Sequence, residues 1–299
     1  MIRIFGTIFA GLLGLAFGSF LNVCLSRWPE GESIVHPRSH CRNCDHTLAW
    51  WENIPLVSWL ALRGRCRKCR AWIGWRYPLV ELAVGTLWAI ESWQYLDQWR
   101  PDHLASILEQ QIQSPYRLVY AIGWAFFLWL LTALAVLDAE NLWLPDRLTL
   151  SGIVLGFPCT VLRSFYARWD FDPSDPPFLL VGALECLLSI LAAAGLILLI
   201  RWFYWLVRRR EGIGLGDAKL MALLAAWLGL PGALLAFGLG VVLGAVVALV
   251  LLAIPGKSPE TGAWALKKLP LGTFFCVGGI VSSLWGPQII AAYLRWAGL

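Results

Sequence analysis

The sequence predicts an all-α polytopic membrane protein with about eight transmembrane helices and one large polar loop between the first two. Three observations carry that prediction. Of 299 residues, 59% are hydrophobic and only 14% are charged, more apolar than a soluble domain of this length requires. Several apolar runs approach or exceed the ~20 residues that cross a bilayer as a helix. The basic residues, 24 against 19 acidic, gather in alternate loops. That basic excess is modest and matters through its distribution, not its total; membrane lipid is expected as a partner, and nucleic acid is not.

A segment within lipid must satisfy its own backbone hydrogen bonds, so each apolar run is read as a helix. Ile4–Cys24 comes first, and Met1–Arg3 is too short a leader to make it a cleavable signal. Pro78–Tyr95, Leu118–Leu137, Leu148–Tyr166 and Phe178–Val207 follow. Asp217–Leu230, Gly232–Ile254 and Gly272–Leu294 complete the set. The sixth run is short; it either starts a turn earlier or is re-entrant. Loop Ser26–Tyr77 holds nine Lys/Arg, and with the alternate loops that share its side the count is 18 against six. The positive-inside rule then makes that loop cytoplasmic and puts both termini outside. Leu96–Arg117 and Ala167–Pro177 read as connectors, and many of the 19 tryptophans lie near span ends as an interfacial belt. No internal repeat is visible.

Four of the eight cysteines (Cys24, Cys159, Cys186 and Cys276) lie in apolar runs, where a thiol behaves as a small hydrophobe. The other four form Cys41-Arg-Asn-Cys44 and Cys66-Arg-Lys-Cys69, with 21 residues between the two pairs. Two such C-x2-C knuckles supply four thiolates to a tetrahedral zinc, which fills its coordination shell and makes the metal structural. A reducing, cytoplasmic setting disfavours the alternative of two disulfides. Flanking Arg42, Arg65, Arg67, Lys68 and Arg70 are expected to favour the thiolate forms. His36, His40 and His46 lie nearby and are read as surface residues.

Ionisable groups in or beside spans are costly and point to function. Glu81, Glu91, Asp138, Glu185 and Asp217 are in that position, and Asp146 lies just outside a span. Asp138 ends the third span and Asp217 begins the sixth, so the derived topology puts both at the cytoplasmic face. Two adjacent carboxylates share a proton, and such a pair activates water on a peptide carbonyl and protonates the leaving amine. Gly212, Gly214 and Gly216 allow close backbone approach and unusual dihedrals beside Asp217. The bland alternative is two polar span ends, Asp217 favoured by a helix dipole. A rival from another class is an ion-coupled transporter with span-end aspartates.

Five stretches together resemble the bacterial type IV prepilin peptidases, bifunctional leader peptidase/N-methyltransferases of the GxGD class of membrane aspartyl proteases. They are GSFLNVCLSRWP (18–29), the four-cysteine loop with NIPLVSWLALRGRC and YPLVELAVG, the block DAENLWLPDRLTL, GIGLGDAKLMALLAAWLG (212–229) and LPLGTFF (269–275). The resemblance implies that Asp138 and Asp217 are the catalytic pair, with Gly214, Gly216 and Lys219 in support and Asp146 the alternative to Asp138. It implies prepilin or pseudopilin substrates cut on the cytoplasmic side after a glycine. The new amine is then methylated from S-adenosylmethionine, unless the chain is a peptidase alone. The loop and its flanks (residues 1–95) are associated with methylation, and residues 96–299 form a six-helix protease domain. Glu81 contacts cofactor or substrate amine, or is a buried partner of an arginine such as Arg76. Asn22, Arg27 and Gly64 are cofactor candidates by resemblance only. Two residues depart from the family pattern: Arg42 stands where many relatives have proline, and Thr273 where a proline is common. Neither is expected to touch the aspartates or the zinc ligands.

Overall fold

The computed structural model describes residues 1–97, 107–167, 178–210, 214–253 and 269–298. Among these residues there are eight α-helices, one 3-10 turn (Trp50–Asn53) and no strand. The helices are α1 (Ile2–Arg27), α2 (Val57–Ala61), α3 (Arg76–Asp97), α4 (Ile107–Asn141), α5 (Asp146–Ala167), α6 (Phe178–Arg208), α7 (Leu215–Ala253) and α8 (Leu271–Ala297). The all-α membrane architecture is therefore as expected. Residues 107–117, read as connector, continue α4, while 98–106 and 168–177 lie outside the described residues.

Five helices (α1, α4, α6, α7 and α8) are long and apolar enough to cross a membrane. α3 and α5 are long enough at 22 residues each, about 33 Å at 1.5 Å per residue. Their composition is diluted by Glu81 and Glu91 in α3 and by Asp146, Arg147 and Arg163 in α5.

The sixth and seventh predicted spans are two helices that meet at a kink within α7. Within α7, Gly229 has φ 69° and ψ 175°, and Pro231 follows. Glycine alone takes that conformation without strain, and proline suits the first turn of the second leg. The first leg, Leu215–Leu228, is only about 21 Å long, short of a ~30 Å hydrocarbon core. Among the described residues it also holds the longest unbroken run of buried positions, Leu220 to Trp227. Leu220, Met221, Leu223, Leu224, Ala225 and Ala226 have no exposed surface. The break frees carbonyls of the preceding turn, and protein supplies donors for them. The Thr160 hydroxyl and the Cys186 thiol both donate to Ala226 O, at 2.6 and 3.8 Å. Trp227 Nε1 donates to Gly152 O at 2.9 Å. This short leg is thus solvated by protein and presents Asp217 on its first turn.

The chain divides into two compact units: residues 1–112 with 124–133, and residues 113–123 with 134–299. In the first, α1 and α3 run antiparallel with their backbones in contact. A Cβ on Gly14 would lie 2.9 Å from Gly85 Cα, and one on Gly18 2.7 Å from Glu81 Cα. In the second, α7 packs on α5, α6 and α8, and α8 crosses the second leg of α7 at Gly278.

A Cβ on Gly278 would stand 2.2 Å from Ala236 O, a backbone atom that cannot swing away, whereas one on Gly195 meets nothing within 4 Å. Gly278→Ala is expected to cost about 1–3 kcal/mol and to lower the thermal midpoint of the detergent-solubilised protein. Gly195→Ala, the same chemical change, should leave that midpoint unchanged or slightly higher.

Candidate active site and metal centre

Asp138 lies in the last turn of α4, which closes where Leu142 turns to φ 51° and its N–H bonds Asp138 O at 2.9 Å. The carbonyl end of its own helix disfavours a carboxylate there. The compensation comes from the N-terminus of α8. Asp138 Oδ2 accepts the Thr273 N–H at 2.7 Å and the Thr273 hydroxyl at 3.1 Å. The Gly272 N–H also bonds this carboxylate. Asp138 therefore caps α8 from another helix, taking donors that the first turn leaves free. A Cβ on Gly272 would stand 2.9 Å from Asp138 Oδ2, so glycine is what lets the carboxylate reach the helix end.

Asp217 is the third residue of α7 and accepts the Gly214 N–H at 3.1 Å. It too sits at a helix N-terminus, that of its own helix. Both aspartates are buried, 6% and 8% exposed, and Asp138 lies near enough for its charge to act on Asp217, more weakly than burial and the Gly214 N–H do. Leu144 wedges between their supports: its side chain lies 3.3 Å from where a Cβ on Gly216 would be and 3.0 Å from one on Gly272. Gly216 lies in the first turn of α7 and leaves room for Leu144, and Gly214 gives its N–H to Asp217; Gly212 lies outside the described residues. Asp146 is different in kind. Its carboxylate is exposed and paired with Lys219 Nζ at 2.6 Å. The expectation that Thr273 touches neither aspartate is overturned. Its signal was in the sequence, as the third residue of an apolar run opened by Leu269-Pro270, but nothing local says which carboxylate meets it.

The four loop sulfurs lie within 4.8 Å of one another, with Cys41–Cys69 at 3.7 Å and Cys44–Cys66 at 3.9 Å. A tetrahedron of Zn–S bonds near 2.3 Å has sulfur–sulfur edges of about 3.8 Å, so the donor set fits such an ion. The two knuckles are built alike. Cys41 N–H bonds His46 O and Asp45 N–H bonds Cys41 O, while Cys66 N–H bonds Ala71 O and Arg70 N–H bonds Cys66 O, all between 2.8 and 3.0 Å. Asp45 and Arg70, each four residues after its cysteine, take positive φ of 51° and 61°. The sequence shows the Cys-Arg-x-Cys shared by the two knuckles, and the backbone geometry extends the likeness to the fifth residue after each first cysteine.

The Ala71 N–H, with the Asn43 amide next, pulls Cys69 down to about 6. The His46 N–H favours the Cys44 thiolate, yet burial and the three neighbouring thiols push Cys44 up to about 12. Four close thiols cannot all ionise without a cation between them. Two of the five flanking cations are engaged elsewhere: Arg42 bonds Ser26 O at 2.8 Å and Arg67 lies over the Trp51 ring. His40 bonds Arg38 O, and His46 faces buried Glu52 at 3.5 Å, so the histidines stand apart from the sulfur cluster.

Along the α1–α3 seam, Ser19 bonds Glu81, Asn22 Nδ2 donates to Tyr77 O at 2.9 Å, and Arg76 donates to Ser26 Oγ at 2.7 Å. Glu81 also accepts the Leu56 N–H at 2.8 Å. Leu56 has φ 60° and ψ −46°, a strained turn conformation for a branched residue that sequence reasoning missed. Asn22 and Glu81 thus share one buried seam, 2% and 8% exposed, and Asn22 Oδ1 is buried without a partner. Arg27 is elsewhere, holding Ser33 O and Pro37 O at 2.8 and 2.6 Å. Gly64, with φ 66°, lies in a turn packed against Trp59 and Trp72.

Two family models match the chain: the Bacterial Peptidase A24 N-terminal domain over residues 12–95 and the Type IV leader peptidase family over residues 125–249. The chain is 33% identical to a prepilin leader peptidase/N-methyltransferase of Stutzerimonas stutzeri over 311 residues, covering 96% of this chain and 93% of the relative. It is also 33% identical to the Pseudomonas aeruginosa protein of that name, with the same shares covered. The Myxococcus xanthus protein of that name is 37% identical over 264 residues, 86% of this chain and 68% of the relative. No solved structure matches.

The sulfur cluster generates its own test. Purified chain should carry one divalent ion, and replacing Cys41, Cys44, Cys66 and Cys69 by serine should abolish it. Limited proteolysis should then cut within residues 26–77, where the intact loop resists.

Proposed function

The chain belongs to the type IV leader peptidase family, and on that premise we propose that Asp138 and Asp217 are the dyad of a membrane aspartyl peptidase. The enzyme is a leader peptidase and N-methyltransferase. Its substrates are prepilins or pseudopilins, cut after a glycine that ends a short basic leader. What carries the reading is one juxtaposition: two buried carboxylates from different helices, electrostatically coupled, each at a helix N-terminus. Carboxylates so placed share one proton, and the ionised member draws a proton from water as it adds to the scissile carbonyl. The other member protonates the leaving nitrogen. Asp146, exposed and paired with Lys219, has neither the burial nor the coupling and supports the structure around Asp217.

The basic loops place the dyad, the cysteine loop and the cut on the cytoplasmic side of the bacterial inner membrane, with both termini outside. Residues 96–299 form the peptidase part. Residues 1–95 carry methylation, and zinc is the ion held by Cys41, Cys44, Cys66 and Cys69, where it folds a loop too polar to fold alone. S-adenosylmethionine supplies the methyl group when bound. Glu81 is the group that faces substrate amine or cofactor, with Asn22 beside it on the seam. Arg27 and Gly64 act at a distance by holding the loop's shape.

Asp138→Asn and Asp217→Asn should each lower prepilin cleavage on the order of 10³-fold or more, measured by intact mass of the products. Normal cleavage by either variant overturns the dyad. In the same assay with S-adenosylmethionine added, Glu81→Gln keeps an acceptor for the Leu56 N–H. It should cleave normally and release product without the methyl group; full methylation removes Glu81 from the site.

A further inference from the structure

The two aspartates are not equally supported. Among the described residues, Asp217 receives one backbone N–H, from Gly214. Asp138 receives the N–H groups of Gly272 and Thr273 and the Thr273 hydroxyl. Donors directed at a carboxylate stabilise its charged form, and those at a helix N-terminus do so most. The pair's negative charge therefore rests on Asp138 and the shared proton on Asp217.

The Thr273 hydroxyl has a second feature. Its oxygen lies 3.1 Å from Asp138 Oδ2 and 3.0 Å from Ala135 O. A hydroxyl carries one proton and serves one acceptor at a time, while its own oxygen accepts. When Asp138 is ionised, the hydroxyl donates to Oδ2. When Oδ2 carries a proton, that proton is donated to Thr273 Oγ1, and the hydroxyl turns to Ala135 O. Both charge states of Asp138 are satisfied by one bond rotation.

We propose that Thr273 is the positioning residue that makes Asp138 the general base of the dyad, its hydroxyl switching between Asp138 Oδ2 and Ala135 O as Asp138 gains and loses the proton. This rests on the reading of Asp138 and Asp217 as the dyad. In the step so assigned, a water O–H bond breaks and its proton goes to Asp138. The water oxygen bonds the scissile carbonyl carbon. Asp217 gives its proton to the leaving nitrogen as the C–N bond breaks, and the proton on Asp138 then returns to Asp217. Nothing is oxidised or reduced.

Among the described residues, the titratable groups in electrostatic reach of Asp138 are Asp217 from α7 and Cys276 from α8, and both are left in place by the test. Purified full-length wild type, Thr273→Val, Thr273→Ala, Thr273→Ser and Asp138→Asn are compared in kcat, KM and the pH profile of kcat/KM on a prepilin substrate. Valine keeps the backbone N–H and the shape but removes the hydroxyl. It is expected to lower kcat by about 10–100-fold with little change in KM, and to move the acid limb of the profile up by about one pH unit. Alanine should move the limb the same way, and serine should restore both rate and limb. An acid limb unmoved in both valine and alanine variants, or a serine variant that behaves like valine, overturns the proposal. Thermal midpoints identify a valine variant that is misfolded, in which case alanine and serine decide. If Asp138→Asn cleaves normally, the dyad reading itself fails; if it is inactive while the limb stays fixed, only the role of Thr273 fails.

Discussion

A negative charge at the wrong end of a helix is the constraint around which the second unit is arranged. Asp138 sits among the last carbonyls of α4, where the helix field repels a carboxylate. Its burial removes water as a remedy. The first turn of α8 meets it with two N–H groups and a hydroxyl. Asp217 makes the simpler bargain of sitting in the first turn of its own helix. Two positive helix ends thus converge on two carboxylates. Such fixed dipoles need no reorganisation when charge moves during a reaction.

That convergence explains features that otherwise look unrelated. A Cβ on Gly272 would lie 2.9 Å from the Asp138 carboxylate, and one on Gly216 would crowd Leu144 at 3.3 Å. The first leg of α7 is short, because it is a protein-enclosed platform for Asp217 more than a lipid-facing rod. Gly229 ends it, and Thr160 and Cys186 take up a carbonyl that the break releases. A buried break without such donors would cost several kcal/mol in a bilayer.

The first unit uses different means for a similar end. α1 and α3 meet through glycines, so their backbones touch and their polar side chains form a narrow buried seam. The cysteine loop is joined to that seam by one strained residue, Leu56, whose N–H lies on Glu81. Inside the loop, two knuckles of the same backbone design bring four sulfurs to the edges of one tetrahedron.

Much of this was legible in the residues. Membrane class, helical content, the four metal-ligand candidates and both aspartates follow from residue type and local spacing, because hydrophobic length, C-x2-C knuckles and isolated carboxylates are short-range signals. The break in α7 was half legible: Pro231, left between the sixth and seventh runs, marked a boundary, but not that the leg before it is enclosed by protein. Thr273 was misjudged because its partner is 135 positions away and no periodicity links the two. The same holds for Leu56 on Glu81, 25 positions apart. Sequence determined which groups are the candidates for the chemistry and that they lie in helices long enough to cross a membrane. Only the tertiary structure decided which helix end holds each charge, because that depends on where packed helices cross and not on what precedes or follows a residue in the chain.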